Sequence, residues 1–435
     1  MQRFSLGFNQ TSFGASNPIS AAASRIGSAK SKVGSTSRIF NYCKEHSPAP
    51  SLCINQFVNI TSGFNLNNIH VGNFPNAVKL NSHDAPQLGK PPYKPSDIKK
   101  AYSFPTIDIV PSPNVRKAII TIIVPYHSNF LIQNLQDFCS MSDIRQPDPG
   151  QIQIYNLGSD TNINPEVEIE ANIDLQMAYA MNPHAEIRVI EAKSSGAGDL
   201  IYAIDVGSNG KNFPSGIDTD IMSMSFGATP NSYLVNASPF INPNICYLAA
   251  SGDNSAPLWP AIIPNVLAIG ATNLQTNTNY SRKTEAIWSK SGCGFTPYAN
   301  CPYYQIPYNP NSKRSIPDVC AVGASESKVI VTMNGYIYAV YGTSVSSPIV
   351  AGILSLAVQK RLNVHNNKRL TTCQIRPFDT KQLQFLLYNF LTIQSFFFDV
   401  VEGKSGKYSA KPGFDQASGL GVINVNNLIE GLKDI

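Results

Sequence analysis

A serine at the start of a predicted apolar helix carries the strongest chemical signal in the sequence. Ser344 follows the turn residues Gly342 and Thr343, and residues 344–359 are mostly apolar with a helical pattern. Unpaired N–H groups and the helix dipole at such a position favour developing negative charge. A helix N-cap would also explain the serine, but it would not explain Pro348 one turn later. This segment therefore favours a nucleophilic serine over a simple cap.

A nucleophilic serine needs a base, and two acids on one predicted helix are candidates. Glu170 and Asp174 are four residues apart in the helix predicted over residues 168–181, so both carboxylates project from the same face. Like charges at this spacing destabilise a helix by about 0.2–0.5 kcal/mol. The pair is therefore either a solvated acidic face or a coupled pair in a site. Taken alone, this segment favours the solvated face.

Asp253 is a third candidate acid. It follows the apolar strand predicted over residues 245–250 and the small turn residues Ser251 and Gly252. Sites in open parallel sheets assemble at the carboxyl ends of the strands. An aspartate after a glycine is also ordinary turn chemistry, so both interpretations stay open for this segment alone.

The elements that would hold these residues alternate between apolar runs and helical patterns from Tyr93 onwards. Strands are predicted over residues 118–125, 151–156, 186–192, 220–226, 245–250 and 266–270, with a hairpin around Asn334-Gly335. Their continuous apolar character indicates burial on both faces. The sequence therefore predicts an α/β fold with a mainly parallel central sheet and helices on both faces.

Residues 1–92 differ from the rest of the chain. They are rich in Ser, Asn, Gly and Phe without a long periodic pattern, and residues 84–92 cluster Pro and Gly. We therefore interpret 1–92 as a weakly structured extension and linker, and 93–435 as one domain. All charged residues before Glu45 are basic, and no apolar signal-peptide core is evident. Such a start is typical of a disordered basic arm, or less often of a transit peptide.

Charge and hydropathy exclude two classes of protein. The formal net charge is only +5 over 435 residues, and no dense Lys/Arg run occurs, which argues against nucleic-acid binding. The best candidate run, residues 118–124, is far shorter than the roughly 18 residues of a membrane span. No membrane span is therefore expected.

Eight cysteines are present, and their spacing shows no CxxC metal pattern. Two pairs, Cys43 with Cys53 and Cys293 with Cys301, are close enough in sequence to form disulfides. Cys246 and Cys320 lie in apolar, strand-like segments and are predicted to be buried thiols.

Taken together, the segments resemble the sedolisin family, the serine-carboxyl peptidases, whose fold is similar to that of subtilisin. The resemblance runs from about Tyr93 to the C-terminus, with the motifs in the family's order. These motifs are Glu170-Ala-Asn-Ile-Asp174 for ExxxD, Ser223-Met-Ser-Phe-Gly227 for SxSWG with Phe226 replacing the usual Trp, Ser251-Gly-Asp253, and Gly342-Thr-Ser344. The ordered series is far more specific than any single motif.

The resemblance implies a role for each site residue. Ser344 would be the nucleophile, Glu170 the general base, and Asp174 the partner that holds Glu170 and shares its proton. Asp253 would be a protonated donor in the oxyanion hole. The implied substrates are proteins or peptides, cleaved internally or as tripeptides from N-termini, with greatest activity at acidic pH. Members usually work outside cells or in acidic compartments.

The resemblance also implies one structural Ca²⁺ ion near the C-terminus. Its ligands would come from Asp399, Val400, Lys411, Gly413 and Asp415. Carboxylates and backbone carbonyls supply the oxygen-rich shell that calcium prefers. Lys411 stands where the family usually has Gly, so its carbonyl would bind and its ammonium would point outward. The alternative is a Gly-rich turn without an ion.

Two other functions compete with this interpretation. A subtilisin-like Ser-His-Asp peptidase would need a histidine in an HGT-like setting and an aspartate after the first strand, and that strand instead ends in Val124-Pro125-Tyr126. A degenerate, non-catalytic binding protein is the other. Residues 1–92 keep it open, because they are too short and too polar to be the larger folded propeptide with which family members are usually made. The four filled catalytic positions argue against it.

Overall fold

The computed structural model describes residues 76–80, 87–158, 165–209, 219–236, 239–367, 379–389 and 396–434. The predicted basic arm, Cys43, Cys53 and Cys373 lie outside these residues. The helices, in chain order, are α1 Pro95–Ala101, α2 Leu131–Ser142, α3 Pro165–Met181, α4 Ala197–Asn209, α5 Ser232–Asn236, α6 Thr343–Asn367, α7 Thr380–Asn389 and α8 Val425–Leu432. The strands are β1 Asn76–Lys79, β2 Ile119–Pro125, β3 Ile152–Asn156, β4 Glu186–Ala192, β5 Ile221–Met224, β6 Cys246–Ala250, β7 Leu267–Thr276, β8 Arg282–Ile287, β9 Gly294–Asn300, β10 Lys313–Ile316, β11 Val319–Val322, β12 Val329–Met333, β13 Tyr336–Tyr341, β14 Phe397–Phe398, β15 Lys404–Ser405, β16 Tyr408–Ser409 and β17 Val422–Ile423.

A 10-stranded sheet organises the described part of the chain. Its strands lie in the order β14-β17-β11-β7-β6-β5-β2-β4-β3, with β8 paired to β7. The pairings from β17 through β3 are parallel, and only β14 and β8 join antiparallel. This confirms the predicted α/β fold with a mainly parallel central sheet.

The strand β2 shows why both faces of this sheet need helices. All seven of its residues are buried. Ile120 and Ile122 pack into a hydrophobic cluster that includes residues of α3 and α6, whereas Ile123 packs on the other face with residues of α4. Because side chains alternate between the faces of a strand, its continuous apolar run serves both layers at once.

The close approach of α3 and α6 depends on a glycine. A Cβ at Gly352 of α6 would lie 2.5 Å from Met181 Cβ and 2.7 Å from the Ala178 carbonyl oxygen of α3. Side chains larger than hydrogen would therefore force the two helices apart. This contact matters because α3 carries Glu170 and Asp174, and α6 begins at Thr343 beside Ser344.

The predicted extension contributes one strand to the folded part of the chain. β1 pairs antiparallel with β13, placing Asn76 opposite Tyr341 and Lys79 opposite Tyr338. β13 pairs on its other side with β12, so the three form a separate small sheet. Residues 76–79 are therefore β-structure within a region whose sequence predicted little structure.

Every cysteine among the described residues is a free thiol. The suggested pairing of Cys293 with Cys301 is wrong, because the extended strand β9 lies between them. At about 3.3 Å per residue, such a strand holds its ends much further apart than the roughly 7 Å limit for a disulfide. Cys246 and Cys320 are buried, as predicted.

The apolar run over residues 118–124 is a core strand, because it falls almost entirely within β2. Within the described ranges, no helix combines the length and the apolar character needed to span a membrane.

Candidate active site

Glu170 and Asp174 are buried on α3, with only 2% and 1% of their surfaces exposed. Every residue from Val167 to Met181 is buried, because this helix packs against both α6 and the sheet. The solvated acidic face that the local sequence favoured is therefore wrong. The two acids form a buried pair inside the fold.

Burial and mutual repulsion control the protonation of this pair. Removal from water raises the pKa of Glu170 well above its ordinary value, and the charges of Asp174 and Asp253 raise it further. Burial likewise raises the pKa of Asp174 well above its usual range. The Ser344 side chain acts on the pKa of Glu170 in the opposite direction. Such mutual effects require proximity, so all four predicted catalytic residues lie close together.

The Ser344 hydroxyl is not bonded to its expected base in this geometry. It donates a hydrogen bond to the Ser225 carbonyl oxygen at 3.1 Å. Both carboxyl oxygens of Glu170, and Oδ2 of Asp174, have no hydrogen-bond partner among the described residues. A rotation of the Ser344 side chain would redirect its proton to Glu170, because the two side chains are already neighbours.

Ser225 connects the acid pair to the serine. Its hydroxyl donates to Asp174 Oδ1 at 2.5 Å, while its carbonyl oxygen accepts from Ser344. Ser225 follows β5 directly and is buried. The sequence placed it in the SxSWG-like motif but gave it no role, and only its partners in space reveal one.

Asp253 is partly exposed and contacts the start of α6. Its Oδ1 accepts the backbone N–H of Thr343 at 2.8 Å and the Thr343 hydroxyl at 2.7 Å. Gly342 makes this approach possible, because a Cβ there would lie 2.6 Å from Asp253 Oδ2. The backbone at Gly342 also has φ of +136°, a conformation that favours glycine.

The sheet itself explains why these residues meet. Ser225 follows β5 and Asp253 follows the neighbouring strand β6, so both lie at the carboxyl edge of the parallel sheet. The start of α6 lies over the same edge, through the bonds from Ser344 to Ser225 and from Thr343 to Asp253. The predicted catalytic residues are therefore assembled from three separate segments.

A histidine lies at the same edge but has other partners. His127 follows β2; its Nδ1 is 2.7 Å from Glu191 Oε2 and its Nε2 is 3.1 Å from Asn129 Oδ1. Glu191 also accepts the backbone N–H of Ser128. In this geometry the Ser344 proton is directed to Ser225 and not to His127, unlike the Ser-His-Asp alternative.

The five predicted calcium ligands fall on two neighbouring loops. Asp399 Oδ2 accepts the Gly413 N–H at 2.9 Å, and Asp415 Oδ2 accepts the Lys411 N–H at 2.9 Å. Asp415 is buried, and burial raises the pKa of its carboxyl group against the opposing effect of backbone N–H donors. The described residues hold no cluster of three or more His, Cys, Asp or Glu side chains suited to a metal. Any cation here would need backbone carbonyl ligands besides Asp399 and Asp415.

Comparison with known proteins gives a consistent set of relatives. The sequence model of the subtilase family matches residues 172–389, a range that contains Asp174, Asp253 and Ser344 and begins just after Glu170. Tripeptidyl-peptidase 1 of Dictyostelium discoideum is 25% identical over 356 residues, covering 70% of this chain and 54% of the relative. Kumamolisin of Bacillus sp. (strain MN-32) is 24% identical over 368 residues, covering 76% of this chain and 61% of the relative.

A solved structure supports the same fold. The fold of this chain is similar to that of Pseudomonas sedolisin, a serine-carboxyl proteinase solved in complex with two molecules of pseudo-iodotyrostatin. The TM-score is 0.65 at 18% sequence identity. The match covers 79% of this chain and 98% of that chain. By contrast, the chain spans only 54% and 61% of the lengths of the two relatives above.

Proposed function

This chain belongs to the subtilase family and is identified with the sedolisins by its relatives, and from this premise we propose that it is a serine-type peptidase that hydrolyses peptide bonds. The observation that carries the proposal is the buried Glu170–Asp174 pair beside Ser344, which has no cation to neutralise it among the described residues. Buried acids with raised pKa values next to a nucleophile are typical of an active site.

In the proposed reaction, Ser344 Oγ attacks the carbonyl carbon of the scissile peptide bond. Its proton moves to Glu170, which must be ionised to accept it. Asp174 holds the remaining proton of the pair, so that only one of the two buried acids is charged before attack. When the tetrahedral intermediate collapses, Glu170 returns the proton to the leaving amine and an ester on Ser344 remains. Water then attacks this ester with Glu170 again as base.

Asp253 would stabilise the negative oxygen of the tetrahedral intermediate. A neutral carboxyl group can donate a hydrogen bond to that oxygen, whereas a carboxylate would repel it. The backbone N–H of Ser344 would be a second donor. This role needs a protonated Asp253, so the proposed enzyme is most active at acidic pH.

A peptide-cleavage assay tests the proposal directly. Wild-type protein and Ser344→Ala would be compared at about pH 4, near the ordinary pKa of a carboxyl group. We expect cleavage by the wild type and none above background by the variant. Equal cleavage by both would overturn the proposal and leave a non-catalytic binding role for the fold. A pH–rate profile that peaks above neutrality would overturn the acidic mechanism in particular.

The products of the same assay address substrate choice. The Dictyostelium relative is named a tripeptidyl-peptidase, and internal cleavage is the other possibility for this chain. Release of tripeptides from a peptide with a free N-terminus, and its loss after N-terminal acetylation, would indicate tripeptidyl-peptidase action. Cleavage of the acetylated peptide would indicate an endopeptidase.

We also propose that one structural Ca²⁺ ion binds through Asp399, Asp415 and the carbonyls of Val400, Lys411 and Gly413. The donor set fits the ion, because calcium prefers carboxylate and carbonyl oxygens. The buried Asp415 supports this proposal, since a buried carboxylate is stabilised by a cation. Lys411 is exposed, which leaves room for its ammonium group to point away from the site.

A further inference from the structure

We infer that Thr343 is a positioning residue that fixes which oxygen of Asp253 carries the catalytic proton. The inference rests on the proposed function, because it assigns a task to Thr343 within that reaction. It begins from three hydrogen bonds that converge on this one buried residue.

Two of these bonds reach the same carboxyl oxygen. The backbone N–H and the hydroxyl of Thr343 both donate to Asp253 Oδ1, at 2.8 and 2.7 Å. An oxygen that accepts two donors is a poor place for a proton, because an added O–H would face both of them. A proton on the Asp253 carboxyl group is therefore directed to Oδ2. Oδ2 is then the oxygen that can donate to a developing oxyanion.

The third bond sets the direction of the Thr343 hydroxyl. Its oxygen accepts the backbone N–H of Gly252 at 3.2 Å, so its own proton points towards Asp253. Gly252 is the residue before Asp253, and Thr343 is the residue before Ser344. A single hydroxyl thus links the strand end that carries the oxyanion acid to the helix start that carries the nucleophile.

Helix capping is the simpler explanation of the same contacts. Asp253 accepts the first N–H of α6, as a capping side chain would. In that case the Thr343 hydroxyl would contribute to stability but not to turnover. The two explanations differ in what happens when only the hydroxyl is removed.

The chain offers a matched control for this removal. Thr380 is also the first residue of a helix, α7, and is also buried. The hydroxyl oxygen of Thr380 accepts the backbone N–H of Tyr247, in strand β6, at 2.8 Å. The hydroxyl oxygen of Thr343 likewise accepts a backbone N–H, from Gly252 just after β6. No acid of the site contacts Thr380. A Thr→Val change there measures the structural cost of losing such a hydroxyl.

The experiment compares Thr343→Val, Thr343→Ser and Thr380→Val in the full chain, with Ser344→Ala as the blank. We measure kcat and KM, inhibition by a peptide aldehyde and by the matching peptide alcohol, and the thermal midpoint. The aldehyde forms a tetrahedral adduct with Ser344 whose oxygen occupies the oxyanion position, whereas the alcohol tests ordinary binding. Active sites are counted by titration, so that kcat refers to folded protein.

For Thr343→Val we expect kcat to fall about 10- to 100-fold. Direct loss of an oxyanion donor has a larger effect, about 100- to 1000-fold. KM and alcohol binding should change less than about twofold, and aldehyde binding should weaken together with kcat. Thr343→Ser should recover most of the loss, because it restores the hydroxyl. Thr380→Val should lower the thermal midpoint and leave kcat unchanged. If Thr343→Val does not fold, Thr343→Ala removes the hydroxyl without adding a methyl group.

Two outcomes overturn the inference, and they are distinguishable from failure of the proposed function. Normal kcat and aldehyde binding in folded Thr343→Val, or a serine variant as slow as the valine variant, would leave only the capping role. In both cases the wild type would still cleave peptide and Ser344→Ala would not. Activity that is absent from the wild type, or unchanged in Ser344→Ala, would overturn the proposed function and this inference with it.

Discussion

The fold buries acidic side chains in two contrasting ways. Asp318 is fully buried, and so is its partner Arg314, whose two terminal nitrogens lie 3.2 and 2.8 Å from the two carboxylate oxygens. Asp318 also accepts from the Tyr388 hydroxyl and the Ala268 N–H, each at 2.8 Å. Glu170 and Asp174 are equally buried, yet among the described residues the only hydrogen bond to their carboxylates comes from Ser225.

The difference separates a structural acid from a chemical one. A buried charge is tolerated when a cation and hydrogen bonds replace the lost water, as they do around Asp318. Among the described residues, the pair on α3 has no cation and only the hydrogen bond from Ser225, and it avoids a double charge by retaining a proton. Stability alone would not favour that arrangement, which is what the proposed proton transfer to and from Ser344 would explain.

The largest expected effect is the loss of turnover when the Glu170–Asp174 pair is changed. Glu170→Gln keeps the shape of the side chain but cannot accept a proton, so kcat should fall about 10²- to 10⁴-fold. The free energy of unfolding at neutral pH should not fall, because no ion pair is lost. A peptide-cleavage assay measures kcat, and urea denaturation measures the free energy of unfolding. Glu168→Gln, in the same helix and also buried, is the control and should keep near-normal kcat; full activity in Glu170→Gln would contradict the assignment.

The Arg314–Asp318 pair should respond in the opposite way, with a loss of stability and normal turnover. Arg314→Leu leaves Asp318 buried without its cation and should lower the free energy of unfolding by about 3–5 kcal/mol. The kcat of the protein that remains folded should be unchanged. The double variant Arg314→Leu with Asp318→Asn should recover part of the loss, since the unpaired charge is gone. Denaturant midpoints test this, and a single variant as stable as the wild type would remove the contrast.

Asp415 is another buried acid, and a bound metal would compensate its charge as Arg314 compensates that of Asp318. It accepts several N–H donors, including that of Ala417 at 2.7 Å, but forms no ion pair with the described residues. If Ca²⁺ completes the site, calcium at about 100 times its Kd should stabilise the fold by about 2.7 kcal/mol. Thermal midpoints with calcium and with chelator measure this effect. It should vanish in Asp415→Asn, and an equal response to chelator in that variant would argue against the proposed ligands.

The smallest effect is a pH dependence of stability that originates from the α3 pair. Because burial and repulsion raise the pKa values of the pair, the folded state retains one proton there that the unfolded state releases at an ordinary carboxyl pKa of about 4. Stability from this retained proton is therefore present at low pH and is lost as pH rises from about 4 towards the folded-state pKa, by up to about 1.4 kcal/mol per pH unit. Unfolding free energies between about pH 4 and 7 should decline less steeply in Glu170→Gln. A wild-type stability that rises through this range with the same slope as the variant would contradict the proton count.

The sequence predicted the strands of the sheet well, because period and apolar runs are local properties. The segment predicted over residues 186–192 matches β4 as observed. The burial of Glu170 and Asp174 was not readable locally. All sides of α3 contact other elements, so the helix lacks the polar stripe by which an exposed face is distinguished.

Long-range contacts account for the other differences. The bonds from Thr343 to Asp253 and from Ser225 to Asp174 join residues 90 and 51 positions apart, and neither spacing has a sequence signature. The position of Ser344 was predictable because its signal, a glycine turn before an apolar helix, is local. The pairing suggested for Cys293 and Cys301 was wrong for the complementary reason: a short separation in sequence is not a short distance when a strand intervenes.

The strand β1 sets a practical limit on how the chain can be divided. Its residues occupy one edge of β13, the strand that ends at Tyr341 immediately before Gly342. A fragment cut at residue 93, where the sequence alone would place the domain boundary, would leave that edge unpaired and open to other chains. Recombinant fragments intended for crystals or assays should therefore begin upstream of Asn76, or carry a replacement strand in its place.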